Sequence, residues 1–345
     1  MNLLTCDLEY MTERTAGLWE AARGKRIFVT GGTGFFGRWI LESFCSANRL
    51  LSLDASAVVL TRRPTEFAKS APHIVANATI KLLPGDVRDF TFPTGRFDHV
   101  VHAATEGGLS PLPTFDTIIA GTRHTLDFAR ACGARNFLLL SSGAVYGTQP
   151  PSVAFLEESF AGAPVLTDAY GAYGESKRVA ELLCHLYAND FGIGCKIARC
   201  FTFVGAHLPL DSHFAIGNFI ADALRGRPIR IKGDGTPMRS YLYMADAIIW
   251  LWTILFRAPA LRPYNLGSDQ PVSIAELART VAETVSPGAE VVIEQKAAPG
   301  APIARYVPSA RAAREELDLS VGIDLHEAIR RTATWYKSRD GAGVQ

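Results

Sequence analysis

A serine, a tyrosine and a lysine are spaced in this sequence as a set that can handle a proton. Ser142 follows the apolar run Phe137–Leu140, and Tyr173 and Lys177 lie four residues apart in the segment YGESK. On a helix, residues four apart share a face, so the phenol and the ammonium group point the same way. A nearby positive charge favours the phenolate, so we expect Lys177 to lower the pKa of Tyr173 and make it a general acid or base. The Ser142 hydroxyl is expected to hydrogen bond the same substrate oxygen.

A glycine-rich turn upstream of these residues is suited to a dinucleotide. The segment Thr30–Gly37 reads TGGTGFFG, follows a strand pattern and opens a helical stretch. Gly31 allows a sharp turn, Gly34 lets the backbone approach a pyrophosphate, and Gly37 lets the helix pack closely on the sheet. The helix N-terminus adds donors and a partial positive charge. A tight turn without a ligand is the alternative interpretation. Cofactor contacts are predicted here for Gly31, Thr33, Gly34, Phe35, Phe36 and Gly37.

The end of the second predicted strand indicates which dinucleotide binds. An acidic residue at this point would bind the ribose 2′-hydroxyl of NAD. The sequence instead has Thr61, Arg62 and Arg63, and guanidinium groups suit a 2′-phosphate. NADP(H) is therefore favoured, with NAD(H) as the alternative if the arginines form a solvated loop. The remaining predicted cofactor contacts are Thr61, Arg62, Asp86, Val87, Ala103, Ala104, Tyr173 and Lys177.

These motifs lie in a chain where strand patterns alternate with helix patterns. Such alternation requires crossover connections and predicts an α/β fold with a Rossmann-type, doubly wound parallel sheet and a smaller α/β substrate-binding lobe. The predicted strands are 26–30, 57–60, 80–83, 99–102, 137–140 and 194–198, and the helices between them include 38–47, 117–132 and 173–190. The predicted division is an N-terminal helical appendage (1–23), a dinucleotide-binding domain (24–200, to which 239–268 return) and the substrate lobe (201–238 and 269–340).

Composition excludes several classes of protein. The chain has 345 residues, of which 48% are apolar, so it can bury a full core and is not disordered. Its 35 basic and 34 acidic residues argue against a nucleic-acid binder that depends on bulk charge. The six cysteines form no CxxC pair, which argues against a metal site or a disulfide framework. Neither a membrane-spanning run nor a signal peptide is recognised, so we expect a cytoplasmic protein without a membrane partner.

The combined motifs resemble a known family. The segments TGGTGFFG, GDVRD, HAA, SSGAVYG, YGESK and RSYLYMAD are similar to those of the extended short-chain dehydrogenases/reductases, the NAD(P)-dependent nucleotide-sugar epimerase, dehydratase and ketoreductase group. The resemblance implies a nucleotide-diphosphate sugar as substrate, with Ser142 as catalytic serine, Tyr173 as acid/base and Lys177 on the nicotinamide ribose. It also implies that Arg239 holds the diphosphate, that Asn218 contacts the substrate, and that the protein is a homodimer.

The sequence departs from the family pattern beside the serine. Family dehydratases carry an acidic pair directly after the catalytic residue, where this chain has Gly143 and Ala144, so we expect no dehydratase. Phe201–Phe203 replaces an asparagine motif and suggests a reshaped sugar pocket, which the loop Thr105–Phe115 would cover. The preferred hypothesis is 4-ketoreduction of a nucleotide-activated 4-keto-6-deoxyhexose. The alternatives are a sugar 4-epimerase that retains NAD, and a non-catalytic protein that senses NAD(P).

Overall fold

The computed structural model describes residues 4–105, 110–167, 169, 171–212 and 214–340. The strands in these ranges are β1 (Arg26–Thr30), β2 (Ser56–Thr61), β3 (Ile80–Pro84), β4 (His99–His102), β5 (Asn136–Ser142), β6 (Gly194–Cys200), β7 (Phe203–Val204), β8 (Ile229–Ile231), β9 (Met238–Arg239), β10 (Leu242–Tyr243), β11 (Pro263–Leu266), β12 (Val272–Ser273), β13 (Val291–Ile293) and β14 (Arg305–Tyr306).

Helices connect most of these strands. The α-helices are α1 (Thr5–Thr15), α2 (Phe35–Leu50), α3 (Pro64–Ser70), α4 (Pro72–Val75), α5 (Pro111–Ala131), α6 (Gly171–Phe191), α7 (Ala215–Leu224), α8 (Met244–Arg257), α9 (Ile274–Val285), α10 (Arg311–Leu317) and α11 (Leu325–Asp340). Short 3₁₀ helices span Ala16–Ala22 and Gly143–Tyr146.

A parallel sheet forms the centre of the molecule. Seven strands follow the order β11-β6-β5-β4-β1-β2-β3, and each neighbouring pair is parallel. The strand order reverses between β1 and β4, so a crevice opens at the carboxyl ends of these strands, where such folds bind ligands. The predicted Rossmann-type fold class is therefore confirmed.

Side chains alternate between the two faces of this sheet, and helices cover both faces. Phe28 on β1 packs against Phe128 of α5, with ring centroids 4.5 Å apart. The neighbouring Ile27 and Val29 belong to the cluster on the opposite face, which includes Trp39 of α2. Burial of such large apolar side chains contributes about 1.5–3 kcal/mol each and fixes the sheet that positions the crevice.

Small sheets lie outside the central sheet, mostly in the segments predicted to form the substrate lobe. β12, β9 and β14 form one sheet, while β7 pairs with β10 and β8 pairs with β13. The predicted N-cap Ser273 starts α9 with a capping box, because its hydroxyl accepts from the backbone of Glu276 and the Glu276 carboxylate accepts from the backbone of Ser273. The strands of this lobe are only two or three residues long, so tertiary contacts rather than local propensity hold them.

The N-terminal segment packs into the body of the protein. Trp19 of the first 3₁₀ helix is buried against Trp252 of α8, with ring centroids 4.6 Å apart. Asp7 of α1 is fully buried and accepts hydrogen bonds from Tyr243 at 2.7 Å and from Arg331 at 2.6 Å. These contacts tie α1 to β10 and to the C-terminal helix α11.

Candidate active site

The glycine turn has two positions that packing requires and one that it leaves open. A Cβ at Gly31, whose φ is +70°, would lie 2.5 Å from the Ala103 carbonyl carbon, and a Cβ at Gly37 would lie 2.3 Å from the Gly31 oxygen. A Cβ at Gly34 would meet only the Gly31 oxygen, at 3.4 Å. The protein itself therefore does not need glycine at position 34. The space above it, at the start of α2, is the cradle that a pyrophosphate fits.

A cleft of about 850 Å³ lies along the carboxyl edge of the sheet. It is lined by every predicted cofactor residue except Gly37, which is buried between α2 and the turn: Gly31, Thr33, Gly34, Phe35, Phe36, Thr61, Arg62, Asp86, Val87, Ala103, Ala104, Tyr173 and Lys177. The volume and the cradle suit a dinucleotide. The lining also includes residues that were not predicted as cofactor contacts, among them Arg38, Thr105 and Cys200.

Three arginines border the cleft beyond the end of β2. Arg38 donates to the Ser70 hydroxyl at 2.6 Å, and Arg63 lies 3.4 Å from Glu66 in an exposed ion pair. Arg62 lines the same end of the cleft, and its charge, together with the stronger effect of Arg88, lowers the pKa of Asp86. This end of the cleft is therefore positively charged. The position of Arg38 in the first turn of α2 is the sequence signal that would have found it.

Lys177 is directed to neutral acceptors. Its Nζ donates to the Leu140 carbonyl at 2.8 Å and to the Thr105 hydroxyl at 2.7 Å, and burial lowers the pKa of Lys177 to about 8. The same burial raises the pKa of Tyr173 to about 12, opposed by a hydrogen bond from Ser142. The prediction that Lys177 lowers the pKa of Tyr173 is thus wrong for this structure. The two residues share a helix face, but desolvation outweighs the charge.

Ser142 lies where β5 ends, beside the phenol of Tyr173. Its Oγ accepts from the Ala144 backbone N–H at 3.1 Å and so caps the short 3₁₀ helix. Tyr173 and Lys177 line the cleft, and Ser142 lies next to Tyr173 without lining the cleft itself. A neutral phenol, a hydroxyl and a buried amine in this arrangement can deliver or accept one proton at a substrate oxygen.

A buried polar network behind the site holds α6 against the sheet. Ser141 donates to the Glu181 carboxylate at 2.6 Å, and Arg199 contacts both carboxylate oxygens at 3.0 and 2.7 Å. Arg199 also donates to the Tyr146 hydroxyl, which donates to Asn265. Because Glu181 lies one turn beyond Lys177 on α6, this network fixes the rotation of the helix that carries the tyrosine and the lysine.

The predicted substrate residues lie outside the cofactor cleft. Arg239 on β9 is half-buried, donates to the Met238 carbonyl at 2.8 Å and pairs with Tyr306 of β14. Asn218 lies half-buried on α7, and its side chain makes no hydrogen bond to another residue that the structure describes. Residues 106–109 of the loop predicted to cover the sugar lie outside the described residues.

Tyr306 is the site residue with the weakest signal in the sequence. Its hydroxyl lies beside Gly143, where a Cβ would be 2.6 Å from the Tyr306 Oη, and its ring packs against Phe201 with ring centroids 4.7 Å apart. A two-residue strand after a segment rich in proline and glycine has no periodicity that would reveal it. The pairing of β14 with β9 places this phenol near the end of β5.

The sequence matches the family model described as "NAD dependent epimerase/dehydratase family" over residues 27–267. The chain belongs to this family. The match covers both the glycine turn and the YGESK segment, and it confirms the resemblance to the extended short-chain dehydrogenases/reductases drawn from the motifs.

Named relatives in this family act on nucleotide sugars. UDP-glucuronic acid decarboxylase 6 of Arabidopsis thaliana is 30% identical over 312 residues, which cover 88% of this chain and 86% of that protein. UDP-glucuronic acid decarboxylase 1 of the same plant is 29% identical over 91% of this chain and 70% of that protein. A UDP-glucuronic acid 4-epimerase variant from Bacillus cereus, solved with a fluorinated substrate analogue and NAD, shares the fold with a TM-score of 0.77 at 21% identity, over 91% of this chain and 99% of that chain.

The decarboxylase relatives correct one expectation. We expected no dehydratase-type chemistry, because Gly143 and Ala144 replace an acidic pair, yet relatives that match most of this chain are named for the elimination of carbon dioxide. The physical reason is that a carboxylate placed β to a ketone is lost without an acidic pair beside the serine. The two small residues therefore do not exclude elimination reactions. That the chain is an enzyme is supported by the same relatives.

The described residues contain neither a membrane-spanning helix nor a cluster of metal ligands. Within the described residues, no helix is long and apolar enough to cross a bilayer. Across those same ranges, histidine, cysteine and acidic side chains form no group of three that could hold a metal ion.

Proposed function

We propose that this protein transfers one hydride and one proton at C4 of a nucleotide-diphosphate sugar, in the direction of 4-ketoreduction. The observation that carries the proposal is the placement of the Tyr173 phenol in the lining of a cleft that fits a dinucleotide, one helical turn from the buried Lys177 amine. A phenol whose pKa is raised to about 12 is protonated near neutral pH, so its resting form is a proton donor. Reduction of a ketone requires that form.

The glycine turn and the cleft residues would hold the cofactor. The start of α2 would receive the pyrophosphate at Gly34, and Lys177 and Tyr173 would border the nicotinamide end. When bound, the dinucleotide supplies the hydride. Ser142 orients the sugar carbonyl, and Tyr173 gives its proton to the oxygen that becomes a hydroxyl. Arg239 would neutralise the diphosphate, because a guanidinium group can bind it through two parallel hydrogen bonds.

NADP(H) is the cofactor we propose. Arg38, Arg62 and Arg63 line the end of the cleft beyond β2, and the described residues there offer a positive environment for a 2′-phosphate. Replacing Arg62 by serine should weaken NADP(H) about tenfold and leave NAD(H) binding nearly unchanged. Fluorescence titration of both cofactors checks this ratio. An equal loss of affinity for both cofactors would show that Arg62 does not select NADP(H).

A second candidate is favoured by the names of the relatives. A cofactor-retaining enzyme that acts on a UDP-uronic acid, as 4-epimerase or decarboxylase, would use the same serine, tyrosine and lysine to open the reaction at C4. In that direction Tyr173 must first lose its proton. The raised pKa of Tyr173 makes this direction steeply dependent on alkaline pH.

Product analysis distinguishes these functions. The purified protein is incubated with UDP-glucose, UDP-glucuronic acid or a 4-keto-6-deoxy nucleotide sugar, with NAD or NADPH, and the products are followed by anion-exchange chromatography and NMR. One NADPH oxidised per 4-keto sugar reduced supports 4-ketoreduction. Interconversion of two sugars without net cofactor turnover supports an epimerase, and release of carbon dioxide supports a decarboxylase. If Tyr173→Phe keeps full biological activity, the protein is a sensor rather than an enzyme.

We also propose that the protein is a homodimer through α5 and α6. These helices pack side by side, and α6 exposes Leu182, Leu186 and Phe191. Light scattering of the wild type and of a Leu182→Glu/Leu186→Glu variant tests this, and a wild-type monomer would reject it.

A further inference from the structure

The buried ammonium group of Lys177 has two acceptors of different kinds. Its Nζ donates to the Leu140 carbonyl at 2.8 Å and to the Thr105 hydroxyl at 2.7 Å, and it makes no other hydrogen bond to a described residue. Leu140 is a buried residue of β5, whereas Thr105 follows β4 and is exposed at the wall of the cleft. Because a lysine ammonium group carries three protons, one proton of Lys177 remains for a ligand.

The Thr105 hydroxyl keeps a proton of its own. It accepts from Lys177, so its O–H is not used in that contact, and within the described part of the chain it donates no hydrogen bond. Its side chain lines the same cleft as Tyr173 and Cys200. A hydroxyl that accepts from a charged group is polarised by it and becomes a stronger donor. Thr105 therefore offers a polarised donor at the wall of the cleft, next to the buried amine.

Neutral oxygen atoms, rather than a carboxylate, hold the charge of Lys177. The titratable groups that face the lysine are Tyr173 and Glu181 on the same helix, Cys200 on β6 and His102 on β4. None of them forms an ion pair with Lys177 in the described part of the chain, and the Glu181 carboxylate is instead bound by Arg199 at 2.7 Å. A buried charge depends on such oxygen dipoles when it has no counter-ion. Thr105 supplies the dipole that a ligand in the cleft can reach.

We propose that Thr105 bridges Lys177 and a bound dinucleotide: its hydroxyl accepts from the ammonium group and donates to a hydroxyl oxygen of the ribose at the nicotinamide end. A ribose hydroxyl is the expected partner, because the pyrophosphate is assigned to the turn at Gly34 and the adenosine ribose to the arginines beyond β2. Together with the third proton of Lys177, Thr105 gives this ribose two neighbouring donors. The inference rests on the proposed function for the dinucleotide in the cleft, but not for the reaction at C4.

The test compares ligands that contain or lack this ribose, by calorimetric titration of the full-length protein. NADPH and 2′-phospho-ADP-ribose contain it and 2′,5′-ADP does not; NADH, ADP-ribose and AMP form the matching series for a wild type that prefers NAD(H). Thr105→Val, which has nearly the same shape without the hydroxyl, should weaken the two larger ligands about tenfold and leave the smallest unchanged. Thr105→Ser keeps the hydroxyl and should bind all three as the wild type does. Unchanged affinity of Thr105→Val for the whole dinucleotide, or an equal loss for the smallest ligand, would overturn the proposal.

The pH dependence of dinucleotide binding separates this role from a loss of packing. The Thr105 hydroxyl stabilises the charged amine, so Thr105→Val should lower the pKa of Lys177, and its affinity should begin to fall at a pH about 0.5 unit below that of the wild type. The control is Thr280→Val on α9, whose hydroxyl donates to the Glu276 carbonyl at 3.0 Å away from the cleft, and both readouts should stay unchanged. A pH dependence identical in Thr105→Val and the wild type would contradict the bridge to Lys177.

The same titrations distinguish this proposal from the proposed function. A wild type that binds no dinucleotide would reject both. A wild type that binds one with the same affinity as Thr105→Val would reject the role of Thr105 alone. The expected loss of affinity in Thr105→Val, found in a protein that reduces no 4-keto sugar, would support the bridge and reject the proposed reaction.

Discussion

Two regions of this protein bury tyrosines together with charged groups, and the charged groups have different partners in the two regions. The proposed catalytic set (Ser142, Tyr173 and Lys177) lies at the carboxyl edge of the sheet, where the ammonium group donates to a carbonyl and a hydroxyl oxygen of the described residues. The terminal cluster (Asp7, Tyr243, Glu327 and Arg331) joins α1, β10 and α11. In it, each charged group faces an opposite charge at 2.6 Å.

The difference shows that the proposed site is less stabilised by ion pairs than the terminal cluster is. In the terminal cluster the Asp7 carboxylate accepts from a guanidinium group and a phenol, so its hydrogen-bonding capacity is used within the fold. In the proposed catalytic set Lys177 forms no ion pair with any residue that the structure describes, and burial lowers its pKa to about 8. A buried charge with no opposite partner costs stability, and it persists where a ligand gives it a role.

The largest effect is expected for Tyr173→Phe. Removing the only proton donor proposed at the substrate oxygen should lower kcat about 1,000-fold, while the apo protein melts as before. Tyr243→Phe in the terminal cluster is the control, because it removes a buried phenol from Asp7. It should leave kcat unchanged and lower the melting temperature. Equal losses of kcat in both variants would erase the distinction between the two regions.

Next in size is Arg331→Met, which leaves the Asp7 carboxylate buried without its cation. Urea unfolding at pH 7 should show that the free energy of unfolding falls by about 3 kcal/mol, while the activity per folded molecule is unchanged. Burial already raises the pKa of Asp7 above its unfolded value, so protonation stabilises the folded state at low pH and this contribution is lost as pH rises. Loss of Arg331 raises the pKa of Asp7 further, so the deficit should shrink on acidification to pH 5.

Arg330→Met provides the control for that experiment. Arg330 is an exposed neighbour on α11 that pairs with Glu327, and its loss should cost less than about 0.5 kcal/mol at either pH. A deficit for Arg331→Met that is independent of pH would show that packing of the side chain, rather than its charge, matters.

Lys177→Met should stabilise the protein while abolishing turnover. The pKa of Lys177 is lowered from its ordinary value to about 8, so the folded state favours the neutral amine. Its contribution to stability is present at a pH above the pKa of lysine in the unfolded chain, and it is lost as the pH falls through 8. At pH 7 the free energy of unfolding of the methionine variant should therefore exceed that of the wild type by about 2 kcal/mol. This difference should vanish near pH 10.5. If the variant is less stable than the wild type at pH 7, the buried Lys177 charge does not destabilise the folded state.

The smallest effect separates the two glycines of the turn. Gly34→Ala should leave the apo melting temperature unchanged and weaken dinucleotide binding about tenfold, since its Cβ meets no protein atom closer than 3.4 Å. Gly37→Ala should destabilise the apo protein itself, because its Cβ would lie 2.3 Å from the Gly31 oxygen. Thermal shift with and without cofactor compares the two. If Gly34→Ala binds the dinucleotide with normal affinity, the pyrophosphate does not lie against Gly34.

Much of the framework could be read from the sequence because its signals are local. Apolar runs predict β1 at 26–30 and β4 at 99–102 with the bounds that the structure has, and β5 extends only from the predicted 137–140 to 136–142. The glycine turn could be recognised because its three spaced glycines, Gly31, Gly34 and Gly37, lie within seven residues. The four-residue spacing placed Tyr173 and Lys177 on one helix face. In each case the information lies within one turn or one strand.

Contacts between distant segments were decided by the tertiary structure alone. The acceptors of Lys177 come from β5 and from Thr105 in the segment after β4, and the Tyr306 phenol beside Gly143 comes from β14. The terminal cluster pairs Asp7 with Arg331, 324 positions apart. No periodicity encodes such pairs. The pKa values of the buried groups follow from desolvation, which exists only once the core has closed around them.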